Sequence, residues 1–105
     1  MGESIIRRLV ENALDFLLSA AEHAKAGDAR SIKFSLLHLA TSVELLFKAR
    51  LVHEHWALLF QDLSLATRES LLSGRFRSVD FDTAVGRLAR IADVEINQSA
   101  LRQLK

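Results

Sequence analysis

Residues 31–56, SIKFSLLHLATSVELLFKARLVHEHW, read as one continuous helix and decide the fold of this 105-residue chain. At about 1.5 Å per residue the stretch runs about 37 Å, longer than a small domain is wide. Leu36, Leu39, Ala40, Val43, Leu46, Phe47 and Leu51 repeat at the i, i+3, i+4 spacing of a core-facing stripe, while Phe34, Leu37, Leu45 and Val52 fall outside it. A helix that is apolar on several faces must be covered from several sides, by the rest of its domain or by a second subunit. The expectation is therefore a spine helix and a homodimer formed through apolar helix faces.

Upstream, residues 4–26 predict a first helix. Ile6, Leu9, Val10, Ala13, Leu17, Ala20, Ala21 and Ala24 form its apolar stripe, with Arg8, Asn12, Asp15, Ser19 and Glu22 on the wet side. Gly27 can end this helix in a left-handed conformation and Asp28 can cap the next. So short a link makes the two helices an antiparallel hairpin, which the alanines late in the first helix allow to close tightly.

Downstream, residues 56–64 are too short to assign. Ser64 is expected to cap a short helix, LATRESLLS, that Gly74 ends. The segment RFRSVDF then reads as a loop with Asp80 as the cap of a helix over residues 81–92, whose inward residues are Phe81, Val85, Leu88 and either Ile91 or Ala92. Residues 93–96 form an extended link, and Asn97 caps a last helix. That helix stops after two turns with no C-terminal signal, so the chain is expected to be a single domain truncated within it.

Half of the residues are hydrophobic, there is no proline, and there are four glycines. Such a composition excludes a disordered chain and favours a compact helical domain. The absence of cysteine removes disulfides, cysteine-based zinc sites and thiol nucleophiles. The N-terminal charges are threaded through apolar positions rather than set before an apolar core, unlike a signal peptide. A cytoplasmic location and no membrane partner are expected. The net charge of +1 gives no global pull toward polyanions, so an RNA site must be a local patch.

Several residue groups could carry chemistry. Glu44 and Lys48 share a face of the spine with Leu51 and His55. They read either as an i, i+4 ion pair or as a polar line able to hold a phosphate or a proton in transfer, and a pocket around Glu44, Lys48 and His55 would suit a small molecule or nucleotide. Arg50 and His55 match Arg-x4-His, a spacing used by metal-independent ribonucleases, in which arginine holds the scissile phosphate and histidine moves the proton. On an unbroken helix, however, these two side chains stand about 140° apart. Arg75, Phe76 and Arg77, with Arg87 and Arg90, form a basic and aromatic cluster suited to RNA, although Asp80 and Asp82 lie beside it. His53 and His55 are two apart, the wrong spacing for a helical metal site, and neither metal nor cofactor is expected. His23 and His38 read as isolated structural or surface residues, and Trp56 as an anchor in the core or an interface.

The segment HLATSVELLFKARL, residues 38–51, resembles the second helix of HEPN domains through its Glu-x-x-x-Lys-Ala core, carried by Glu44, Lys48 and Ala49. The preceding hairpin, the short helices between and the helix starting near Asn97 follow the order of elements in that superfamily. The resemblance implies an all-α fold, an antiparallel pair of long helices closed by two or three shorter ones. It also implies a scaffold and dimerisation domain of an RNA-targeting protein of metal-independent RNase, toxin or defence type. Glu44 and Lys48 would support the site. The superfamily carries its Arg-Asn-x-x-x-His motif on a late helix, whereas here the match, Arg50 to His55, lies at the end of the second. This chain is therefore expected to be inactive by itself. The alternative is a helical interaction module without catalysis.

Overall fold

The computed structural model describes residues 2–95, together with 97 and 100. Among them the fold is all-α, as expected. Helix α1 (Gly2–Ala26) and helix α2 (Ala29–Glu54) form the antiparallel hairpin. Two 3-10 turns follow, Trp56–Leu59 and Leu63–Leu65, then helix α3 (Arg68–Ser73) and helix α4 (Phe81–Arg90).

The punctuation is local chemistry. Gly27 adopts φ +76°, a left-handed conformation that a Cβ disfavours, and Asp28 accepts the Ser31 N–H at 2.8 Å to cap α2. Gly74 ends α3 in the same way, at φ +74°, and Asp80 caps α4 by accepting from Thr83 N–H at 2.8 Å. The cap of α3 differs from expectation. Thr67 accepts the Ser70 N–H, whereas Ser64 sits in a separate 3-10 turn and donates to Asp62. The spine also ends earlier, at Glu54. His55 leaves the helix in an extended conformation and its Nδ1 accepts the Ala57 N–H at 3.0 Å, which starts the next turn.

The α1–α2 seam is built from small residues: Ala13 and Ala20 of the expected first-helix stripe lie in it, whereas Leu17, Leu36 and Leu46 of the expected stripes stay exposed. The Ser42 hydroxyl donates to the Ala13 carbonyl at 2.8 Å and the Ser35 hydroxyl to the Ala20 carbonyl at 2.7 Å. Ala13, Ala20, Ser42 and Ala49 are buried, so the helices meet backbone to backbone. Ser19, placed on the wet side by its polarity, turns into the hairpin instead. It meets His38 Nδ1 at 2.7 Å in a nest with His23, Phe16 and Phe34. His23 Nδ1 donates to the Ser19 carbonyl at 2.8 Å, so the two histidines are a linked pair rather than isolated residues.

The core lies at one end of the hairpin. Leu51, Leu58, Val79, Ala84 and Leu88 form one cluster, with Phe47, Ala92 and Val94 against it. Val52, Leu59, Phe60 and Leu71 form a second, which Ile5, Ile6, Leu9, Trp56 and Phe76 complete. Ala92 is the inward residue after α4, and Ile91 is exposed. Burying Leu51 completely contributes about 2 kcal/mol.

The other end of the hairpin is covered by neither cluster. Leu14, Leu17 and Leu18 of α1 and Ile32, Leu36 and Leu46 of α2 remain 42–61% exposed. The helical period sets these two stripes on the same side of the hairpin, about a quarter turn from the seam. No helix among the described residues is long and apolar enough to cross a membrane. Asn97 Oδ1 accepts the Ala100 N–H at 3.0 Å, the expected cap contact. The rest of the expected last helix, and with it the truncation, lies outside the described residues.

Candidate functional site

The polar residues of the spine do not converge. Lys48 donates from Nζ to the Ser78 hydroxyl at 2.9 Å, tying α2 to the loop before α4. Glu44 is half-buried and makes no ion pair among the described residues, so of the two readings the i, i+4 pair with Lys48 does not form. The chain reversal after Phe60 brings Ser78 within reach of the amine, and the Lys48 side chain is directed there. Arg50 pairs with Glu54 one turn on, and His55 caps the following turn while its ring lies 5.3 Å from that of Trp56. The helix stays unbroken from Arg50 to Glu54. Among the described residues no group of three or more His, Cys, Asp or Glu could hold a metal ion.

Arg87 departs most from expectation. It is only 8% exposed, and its guanidinium donates to the carbonyls of Leu58 at 3.0 Å, Gln61 at 2.8 Å and Phe60. Burial pushes its pKa down and the charge of Asp80 partly offsets this. With its donors engaged by the backbone, Arg87 is a structural anchor and not the RNA contact its neighbours implied. Arg90 is exposed near the end of α4 and does not line the cleft described next.

What Arg87 anchors is the floor of a cleft. Residues 58–61 are held from below by the guanidinium and from the side by residues 77–79. Gln61 N–H donates to the Arg77 carbonyl at 3.0 Å, and Val79 N–H to the Leu59 carbonyl at 2.7 Å, around an isolated antiparallel bridge from Phe60 to Ser78. The Gln61 side chain completes the join, accepting from Asp80 N–H at 2.7 Å and donating to Thr83 Oγ1 at 3.2 Å. Above this floor lies a cavity of about 480 Å³ lined by Phe60, Gln61, Asp62, Leu65, Ser70, Arg75, Phe76 and Arg77. The Phe60 and Phe76 rings stack at 4.2 Å.

Its electrostatics are uneven. Asp62 turns its carboxylate onto Ser64, whose hydroxyl and N–H hold its pKa below the usual carboxylate value. Arg75 and Arg77 make no side-chain hydrogen bond or ion pair among the described residues, and both are exposed. Three expected residues, Arg75, Phe76 and Arg77, are thus brought together with Gln61, Asp62, Leu65 and Ser70. No sequence signal singled out those four, because the partnership depends on the reversal that sets residues 60 and 78 side by side. A smaller cavity of about 190 Å³ lies behind Phe76, between Ile5, Leu9, Asn12 and Leu71.

Compared with protein-family models, curated proteins and solved structures, the chain matches none.

Proposed function

We propose that this chain is the helical dimerisation scaffold of an RNA-targeting protein. The observation that carries the reading is the uncovered leucine face of the hairpin. Six large aliphatic side chains, roughly half exposed, lie on one side of two antiparallel helices. Monomers rarely expose contiguous apolar patches beyond roughly 300–600 Å². Half-buried Leu39 and Val43 lie between the stripes and extend the apolar face.

The occupant is a second copy. A two-fold axis along the hairpin sets α1 of one copy over α2 of the other and builds a four-helix bundle. The Ser35–Ala20 and Ser42–Ala13 bonds fix which residues stand at one level. By that register Glu22 on the α1 rim lies level with Lys33 on the α2 rim, and the two-fold brings each against the other's opposite charge.

The RNA-targeting half is supported by the HEPN-like core at Glu44, Lys48 and Ala49 and by the exposed arginines of residues 75–77. It includes the expectation of a metal-independent ribonuclease in the parent protein. Light scattering across 1–500 μM (about the range over which a micromolar dimer dissociates) tests the dimer. A monodisperse dimer that Leu17→Glu with Leu36→Glu converts to a folded monomer supports the proposal. A wild-type monomer throughout overturns it and assigns the face to a different helical partner.

A further inference from the structure

We infer that the cleft between residues 60–62 and residues 75–77 binds a nucleotide unit, its phosphate on Arg75 and Arg77 and its base against the aromatic wall that includes Phe76. The argument begins with rigidity. Arg87, the Phe60–Ser78 bridge and the Gln61 side chain fix both sides of the cleft before any ligand arrives, so little ordering remains to oppose binding. A volume of about 480 Å³ falls in the range of small-molecule sites.

The lining selects the chemistry. Phe76, half-buried and backed by the buried Phe60 ring at an interplanar angle of 25°, and the exposed Leu65 face the same space and give an apolar surface that suits a planar ring. At the mouth stand two exposed guanidiniums from positions two apart on a non-helical segment, neither with a side-chain hydrogen bond or ion pair among the described residues, although the charge of Arg77 also acts on Asp80. Guanidinium forks match phosphate oxygens in bidentate geometry, which a lysine pair would not do. The Ser70 hydroxyl, half-buried on the cleft wall and without a hydrogen bond among the described residues, is a further donor. Asp62 contributes the one carboxylate, and it is already turned onto Ser64.

A free mononucleotide and a nucleotide of single-stranded RNA present the same ring and phosphate. The inference rests on the RNA-targeting reading only for which of these sources is used. The test is titration of the isotopically labelled chain with adenosine 5′-monophosphate and, separately, with a short single-stranded oligoadenylate, followed by amide chemical shifts. Adenosine and inorganic phosphate serve as half-ligand controls. Arg75→Gln and Arg77→Gln are the variants, both at exposed positions that leave the floor intact.

Saturable shifts confined to Gln61, Ser70 and residues 75–77, tighter than with either control and weakened roughly tenfold by each variant, are expected. Binding of the mononucleotide alone keeps the cleft and removes the RNA reading. Cleft binding of the oligonucleotide, variant-sensitive, keeps both. Oligonucleotide binding that neither variant weakens overturns the cleft and leaves the RNA reading standing. No saturable shift with either probe overturns the inference.

Discussion

Ser42 donates its hydroxyl to the Ala13 carbonyl across the hairpin, and both residues are all but inaccessible to solvent. A serine in a helix interface is tolerated because its polar atom is satisfied and its volume is small, which lets two backbones approach. The Ala13 carbonyl retains its helical partner when the hydroxyl is removed. Ser42→Ala should therefore cost only about 1 kcal/mol, the net value of one hydrogen bond. Ser42→Leu should cost about 3 kcal/mol, because three more carbons must enter a seam without space. Urea denaturation of the two variants distinguishes them, and equal losses would mean that the seam is not closely packed.

This contact also shows why the hairpin could be read from the sequence while only part of its seam, Ala13 and Ala20, could. Gly27, Asp28, Gly74 and Asp80 act through their own backbone geometry, so their positions are legible one residue at a time. The seam is a matter of rotation about each helix axis. Leu17, Leu36 and Leu46 outrank Ser35, Ser42 and Ser19 on any apolar scale, yet the small residues face inward and the leucines face out. Serine hydroxyls that bond backbone carbonyls across the pair invert the pattern. The cleft was half legible: Arg75, Phe76 and Arg77 stand out by type, but the segment that faces them, residues 60–62, carries no periodic signal.

Arg87 should be among the most sensitive positions in the chain. Replacing it with methionine keeps much of the side-chain volume but leaves the carbonyls of Leu58, Phe60 and Gln61 without their donor in a buried site. A loss of about 3 kcal/mol is expected. Arg87→Lys should recover only part of it, since an ammonium cannot reach three carbonyls with the geometry of a guanidinium. Thermal unfolding followed by circular dichroism gives both values, and a methionine variant as stable as wild type would remove the anchor role.

The proposed dimer predicts a charge cycle at the rim. Glu22→Lys alone places like charges against Lys33 of the other copy, twice by symmetry, and should weaken dimerisation by a few fold at low salt. Lys33→Glu should do the same, and the double exchange should restore the wild-type affinity. The effect should shrink above roughly 0.5 M salt, where screening is nearly complete over these distances. Sedimentation velocity of the four proteins checks the cycle, and additive losses in the double variant would refute the two-fold arrangement.

Acid should act through the helix caps. Asp28, Asp62 and Asp80 all have pKa values lowered from 3.8, in each case chiefly because backbone N–H groups and hydroxyls of Ser31, Ser64 and Thr83 bond the carboxylate. A depressed folded-state pKa means that the contribution of these caps is fully present above pH 3.8 and is lost as pH falls through the lowered values. Stability from this source should be flat from pH 7 to about pH 5 and decline below about pH 4. Asp80→Asn keeps a capping oxygen and should flatten the acid limb with little loss at neutral pH, measured by denaturant midpoints against pH.

Two glycines should respond to alanine with opposite signs. At Gly74 a Cβ would meet nothing within 4 Å, but φ is +74°, so the cost is backbone strain of about 1 kcal/mol. Gly86 lies inside α4 with no positive φ, and the atom nearest an added Cβ is the Arg90 Nη2 at 3.0 Å, the far end of an exposed and flexible side chain. Arg90 can swing away at little cost, while alanine gains helix propensity over glycine. Gly86→Ala should therefore stabilise the chain by about 0.5–1 kcal/mol. Equilibrium unfolding of the two single variants checks the pair. A destabilised Gly86→Ala protein would mean that Arg90 is held in place by a contact worth more than the propensity gain.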